Sequence, residues 1–267
     1  MSFSIAGKTA IVTGAANGIG LAIARQFAES GANVMFADMD EKRLAAELSD
    51  KSEDGNMRCF AGDLREKLTI ANLLSATIDA FDQVDILVNA SRQVIPSDPL
   101  DTDDNSVMDM LNQNLMPALR LSQHVAKRMI KQSEGQEEDR PAGSIINLSS
   151  ITARRAHPGL LAYSVSSAAL DQMTRSLAVS LAPYRIRVNA VAMGSVMSAS
   201  LKEVLKGNRD YRQDIEDHTP LGRIAPPTDL ADTVQFLASE GSGFMTGQVL
   251  TLDGGRTLID PVSVPAH

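Results

Sequence analysis

The stretch KTAIVTGAANGIG, Lys8 to Gly20, decides the fold. Its first half, KTAIVT, is short, β-branched and bounded by polar residues, as a strand buried on both faces should be. Its second half, TGAANGIG, Thr13 to Gly20, runs directly into Ile19 to Ser30, where the apolar residues recur with helical spacing. A strand that passes through glycines into a helix is the form of a phosphate-binding turn. Gly14 permits the tight reversal, Gly18 lets backbone approach a pyrophosphate, and Gly20 allows the helix to pack closely on the strand. The helix N-terminus, with Asn17 and Ile19 among these glycines, presents its positive partial charge to the phosphates. The spacing is GxxxGxG rather than the commoner GxGxxG, so the flanking elements must carry part of the reading.

They do so in both directions. ANVMFAD, MRCFAGD, DILVNA, GSIINLS, RIRVNAVA and GQVLTLD are further strand candidates, and helical spacing fills Lys42 to Asp50, Leu64 to Phe81, Val107 to Lys131 and Ala162 to Ala182 between them. Strands alternating with helices imply parallel strands joined by right-handed crossovers with helices on both faces. The expectation is an α/β fold, a Rossmann-like doubly wound parallel sheet of about seven strands, forming one domain over residues 1–267. Met197 to Pro220 reads as short helices inserted after a strand, a candidate substrate lid at about 196–220, because open α/β sheets bind ligands at the carboxyl ends of their strands. The charged patch QSEGQEEDR, Gln132 to Arg140, reads as a solvated loop.

Asp38 closes the second strand about twenty residues beyond Gly18, where a carboxylate accepts from the adenosine ribose hydroxyls and repels a 2′-phosphate. Ala15, Ala16 and Asn17 offer no cation for such a phosphate, so NAD(H) is expected over NADP(H). Net charge of −8 and the lack of a basic tract argue against a nucleic-acid partner. The single cysteine, Cys59, excludes an internal disulfide. No basic-then-apolar leader opens the chain and no apolar run reaches roughly 18 residues, which points to a cytoplasmic protein with no membrane partner. No metal site is expected.

With TGAANGIG, Asp38, ILVNAS, IINLSS, YSVSS and RVNAVAMG in this order, the sequence resembles the short-chain dehydrogenase/reductase family over almost its whole length. The resemblance implies a seven-stranded sheet and a homotetramer, with FMTGQVLTLDGG, Phe244 to Gly255, near a subunit contact. It implies that Asp63 and Leu64 border the adenine, and that Asn89 and Ala90 lie beside the adenosine ribose. It makes Asn114 the holder of a relay water and Tyr163 the general acid/base. Ser150, thirteen residues before Tyr163, becomes the donor to the substrate oxygen. Gly194, Val196 and Ser198 fall where that family meets the carboxamide. The roles are chemically coherent, because hydride transfer to a ketone builds negative charge on its oxygen, which a hydroxyl donor and a proton donor together relieve.

One position breaks the pattern. The family's YxxxK becomes Tyr163 followed by Ser167, so the lysine that holds the nicotinamide ribose and acts as a cation near the tyrosine is replaced by a neutral hydroxyl. Ser167 could still reach a ribose hydroxyl through water. Ser91 and Met193 are further departures, standing for the family's glycine and proline. Arg92, Arg154 and Arg155 are candidate substitute cations, although each also reads as a solvated surface arginine, and His157 is an alternative acid/base group. The expected activity is NAD(H)-dependent interconversion of a secondary alcohol and a ketone, with an apolar, steroid-like or 3-oxoacyl small-molecule substrate. The alternatives are a catalytically impaired, NAD-binding relative with a structural or regulatory role, and a Ser167 that was introduced by substitution.

Overall fold

In a computed structural model, residues 3–48, 55–135 and 141–260 are described. The end of the Lys42–Asp50 segment and residues 136–140 of the charged loop lie outside them. The chain forms β1 (Thr9–Thr13), α1 (Gly18–Glu29), β2 (Asn33–Asp38), α2 (Glu41–Leu48), β3 (Met57–Ala61), α3 (Lys67–Phe81), β4 (Ile86–Asn89), α4 (Ser106–Met110), α5 (Met116–Gln132), β5 (Gly143–Ser150), α6 (Leu161–Leu181), β6 (Ile186–Met193), α7 (Ala199–Lys206), α8 (Arg209–Asp217), α9 (Pro227–Ala238) and β7 (Val249–Leu252). The seven strands make one parallel sheet of order β3-β2-β1-β4-β5-β6-β7.

Successive residues of each central strand point to opposite faces. Val12, Val34, Phe36 and Val88 pack with Ile23 and Phe27 of α1 and Leu230 and Val234 of α9. Ile11, Met35, Leu87 and Ile145 pack with Leu73 of α3, Leu121 and Val125 of α5, and Ala178 of α6. This three-layer arrangement explains why the central strands read as unbroken apolar runs. The edges differ: β7 is only half-buried, and β3 is half-buried along most of its length.

Two helices depart from their sequence reading. α3 starts at Lys67 rather than Leu64, because the Asp63 carboxylate accepts the Arg65 amide at 2.9 Å and the Asp63 carbonyl accepts the Glu66 amide, which builds a turn ahead of the helix. The expected helix Val107–Lys131 is broken by a π turn at Leu111–Leu115, where the Met116 amide donates to the Leu111 carbonyl. Pro117, in the first turn of α5, has no amide to continue an i→i−4 ladder, so the register slips there. Among the described residues no helix is long and apolar enough to cross a membrane.

Between β1 and β4 the strand order reverses. The loops after these two strands therefore diverge, and the crevice they leave lies at the carboxyl end of the sheet.

Candidate active site

A cleft of about 430 Å³ occupies that crevice. Gly14, Asn17, Gly18, Ile19 and Gly20 form one wall, Asp38, Asp63 and Leu64 the outer end, and Ala90 and Ser198 the inner side. The turn is built on two glycines. Gly14 has φ of +67°, and a Cβ there would lie 2.9 Å from the Ser91 Cα; a Cβ on Gly20 would lie 2.2 Å from the Gly14 carbonyl oxygen. Any other residue at either position would push the turn away from β4 or α1 off the strand. No side-chain oxygen caps α1 and no acidic residue stands in its first turn, so its leading N–H groups face the cleft uncompensated.

Asp38 is anchored from both sides. One carboxylate oxygen accepts the Ala16 amide at 3.0 Å and the other the Asp40 amide at 3.1 Å. It thereby ties the glycine turn to the end of β2 while keeping lone pairs for a ligand. Asp63 is paired in a bidentate manner with Arg65, whose guanidinium holds its carboxyl below the ordinary value. Arg65 also lines the cleft, with its charge already committed to Asp63.

A smaller cavity of about 20 Å³ adjoins the cleft, lined by Asn89, Asn114, Tyr163 and Ser167; Ser91 and Arg92 border both spaces. Tyr163 is 6% exposed. Its phenol oxygen accepts a hydrogen bond from Arg92 Nη1 at 2.6 Å. The Ser167 hydroxyl, one turn along α6, donates to the carbonyl of Tyr163 at 2.8 Å and so is satisfied within its own helix. Asn114, carried inward by the π turn, accepts the Gln93 amide at 2.8 Å and donates to the Gln93 carbonyl at 2.9 Å, with a longer contact to Ser166.

The structure does not bring every expected residue to the cleft. Asn89 donates inward to Asn147 and Ser122, and Asn147 passes the chain of bonds on to Thr174, a buried polar ladder that joins β4, β5 and α6. Ser150 is buried at the end of β5, where its oxygen accepts from the Thr152 amide and hydroxyl. Among the described residues no hydrogen bond links it to Tyr163. The Gly194 amide donates to Leu252 on β7, and Val196 is buried in a bridge to Ala225, so neither borders the cleft. Ser198 does border it, while its hydroxyl also accepts the Leu201 amide and caps α7.

Of the three candidate cations, only Arg92 reaches the tyrosine. Arg155 donates to the Thr257 carbonyl, and Arg154 is exposed and acts electrostatically on Asp171. His157 is exposed, and its Nδ1 accepts the Gly159 amide within its own loop. Thr13 carries a role that its residue type alone does not announce. Its buried hydroxyl accepts the amides of Ala90 and Ser91, both at 3.0 Å, and clasps the end of β4 to the glycine turn. Its signal was position: it is the last residue of a strand facing a neighbouring strand end.

The family model described as Enoyl-(Acyl carrier protein) reductase matches residues 14–257. An uncharacterized oxidoreductase of Mycobacterium tuberculosis is 36% identical over 256 residues, covering 96% of this chain and 94% of the relative. A solved short-chain type dehydrogenase/reductase from Mycobacterium marinum superposes with a TM-score of 0.83 at 28% identity, covering 97% of this chain and 98% of its own. A 7α-hydroxysteroid dehydrogenase, solved in complex with NADH and 7-oxo glycochenodeoxycholic acid, superposes with a TM-score of 0.86 at 30% identity, covering 95% of this chain and 96% of its own.

Proposed function

The chain belongs to the short-chain dehydrogenase/reductase family of oxidoreductases, and from that premise we propose that it uses NAD(H) to interconvert a secondary alcohol and an apolar ketone. The observation that carries the reading is the adjacency of the two cavities, which share Ser91 and Arg92 as lining, so that a buried phenol lies next to a cleft suited to phosphates.

The residues present fit a dinucleotide. The glycine turn and the uncapped N-terminus of α1 suit a pyrophosphate, which is drawn by N–H groups and helix dipole together. Asp38, whose oxygens are fixed at the cleft's outer end, suits ribose hydroxyls and opposes a 2′-phosphate, while the nearby Arg65 is taken up by Asp63. These features support NAD(H) over NADP(H). The bound dinucleotide supplies or accepts the hydride at the substrate carbon. Tyr163 gives its phenol proton to the carbonyl oxygen in reduction and takes it back in oxidation. Asn114 holds the strap that carries Arg92, while Ser150, bound to Thr152 and lining neither cavity, is assigned no contact with substrate. The structural likeness to a hydroxysteroid dehydrogenase supports an apolar substrate.

NADH and NADPH binding, followed by ligand fluorescence, and NADH oxidation with a panel of steroid and 3-oxoacyl ketones test this. NADH is expected to bind the tighter, and Tyr163→Phe to retain binding while losing turnover by a factor on the order of a hundred or more. Turnover unchanged in Tyr163→Phe, or a preference for NADPH, would refute the assignment.

A further inference from the structure

A buried phenol that must shed its proton needs a positive neighbour, since an isolated charge in such a place is strongly disfavoured. The residue one turn after Tyr163 provides none: Ser167 is neutral and its hydroxyl is spent on the Tyr163 carbonyl. The charge comes from another element. We propose that Arg92, on the loop after β4, is the cation that stabilises the Tyr163 phenolate during proton transfer, a role that rests on the reading of Tyr163 as acid/base.

Direction and support of the contact both favour this. A guanidinium only donates, so the 2.6 Å bond from Arg92 Nη1 occupies a lone pair of the phenol oxygen and leaves the phenol proton directed elsewhere, available to a substrate oxygen. In reduction, a hydride released by cleavage of a C–H bond of NADH would form the new C–H bond as the carbonyl π electrons move to oxygen, and that oxygen takes the phenol proton. The phenolate left behind is in direct contact with a positive charge until water returns a proton, and the bond becomes a charge-assisted one of about twice the ordinary strength. Oxidation runs the same steps backward.

The arginine is not a loose surface residue that happens to lie near. Its backbone is pinned on both sides, by Thr13 holding the amides of Ala90 and Ser91, and by Asn114 holding both the amide and the carbonyl of Gln93. Among the described residues no carboxylate pairs with Arg92. The other ionisable groups around this part of α6 are Asp109 on α4, Arg154 and Arg155 beyond β5, and Asp171 two turns further along α6 itself. None of them hydrogen-bonds the phenol among the described residues: Asp109 is exposed, Arg155 is bound to Thr257, and Arg154 and Asp171 act on each other.

The chain has three tyrosines and no tryptophan, so ultraviolet tyrosinate absorbance reports this site without any substrate. Tyr184 and Tyr211 are about half exposed and cancel when the titration of Tyr163→Phe is subtracted from that of the parent. In an Arg92→Gln background the Tyr163 difference signal is expected to move to higher pH than in the parent, because the contacting cation is gone, with Arg92→Lys falling between. Alcohol oxidation by NAD should shift its pH profile in the same direction and by a similar amount. Coincident titrations of Arg92→Gln and the parent overturn the proposal, and so does faster turnover in Arg92→Gln, which would make Arg92 a plug in the substrate site. If Arg92→Gln fails to fold, Arg92→Met, a second neutral replacement, decides in its place, and coincidence with the parent is again the refuting result. The two readings separate cleanly. A shifted titration with no turnover in the parent defeats the enzymatic reading only, and turnover with an unshifted titration defeats only the role of Arg92.

Discussion

Replacing Thr13 by valine isolates the clasp between the glycine turn and β4. The two side chains have nearly the same shape, and Thr13 is 2% exposed, so the substitution removes hydrogen bonding with little change in packing. What is lost is the acceptor for two amides at 3.0 Å, together with a weak donation to the Val88 carbonyl at 3.4 Å. A buried N–H left without a partner costs about 1–3 kcal/mol. The Ala90 amide is buried and should lie well within that range, whereas the Ser91 amide, on a half-buried residue, recovers part of its loss to water. The expected destabilisation is about 2–4 kcal/mol, or roughly 4–7 °C in Tm for a domain of this size. Urea unfolding followed by circular dichroism measures it, with an unchanged m value showing that the denatured state is not responsible. Thr13→Ser is the control, because it keeps the hydroxyl and forfeits only a methyl group, for about 1 kcal/mol. The hydroxyl argument therefore requires valine to be worse than serine. The reverse order, or a loss below about 0.5 kcal/mol for valine, would show that the clasp is incidental.

Other perturbations test the remaining parts of the site. Gly20→Ala sets a Cβ against the Gly14 carbonyl and is expected to cost more than about 3 kcal/mol and to abolish NADH binding; retained binding in a fluorescence titration would remove Gly20 from the cradle. Asp171, 4% exposed, has its carboxyl raised above the ordinary value by burial, against the pull of Ser149, Arg154 and Arg175. The folded chain thus keeps a proton that the unfolded chain releases from about pH 4 upward, so stability falls as pH rises from there to the raised folded value and stays lowered above it. Asp171→Asn should be more stable than the parent at pH 7 and lose that advantage near pH 3. Equal melting temperatures at pH 7 would contradict the sign.

The sheet and the glycine turn could be read from residues because both follow from local rules: strands covered on two faces are apolar throughout, and a strand-turn-helix junction demands glycine. Helix ends were harder. The late start of α3 depends on the Asp63–Arg65 turn, and the break before Met116 on what Pro117 cannot donate, neither of which apolar spacing registers. The arginine that meets Tyr163 lay furthest from view. Arg92, Arg154 and Arg155 are equivalent as letters, and only the reach of a side chain from a pinned loop separates them. Asn89 shows the complementary effect: its place in the motif is kept, but its side chain turns away from the cleft into the buried ladder with Asn147.

The reversal of strand order between β1 and β4 also has a consequence for when the site comes into being. Residues up to β3 can form three neighbouring strands by short crossovers, and they contain the whole glycine turn and Asp38. Ala90, Ser91 and Arg92 arrive on the far side of β1 only when a strand more than seventy residues downstream pairs with it, the Thr13–Ala90 bond alone spanning 77 positions. Such distant pairings form late. An emerging polypeptide therefore carries a half-built coenzyme cradle, and synthesis must continue well past β4, to α6, before the loop that bears Arg92 can meet Tyr163.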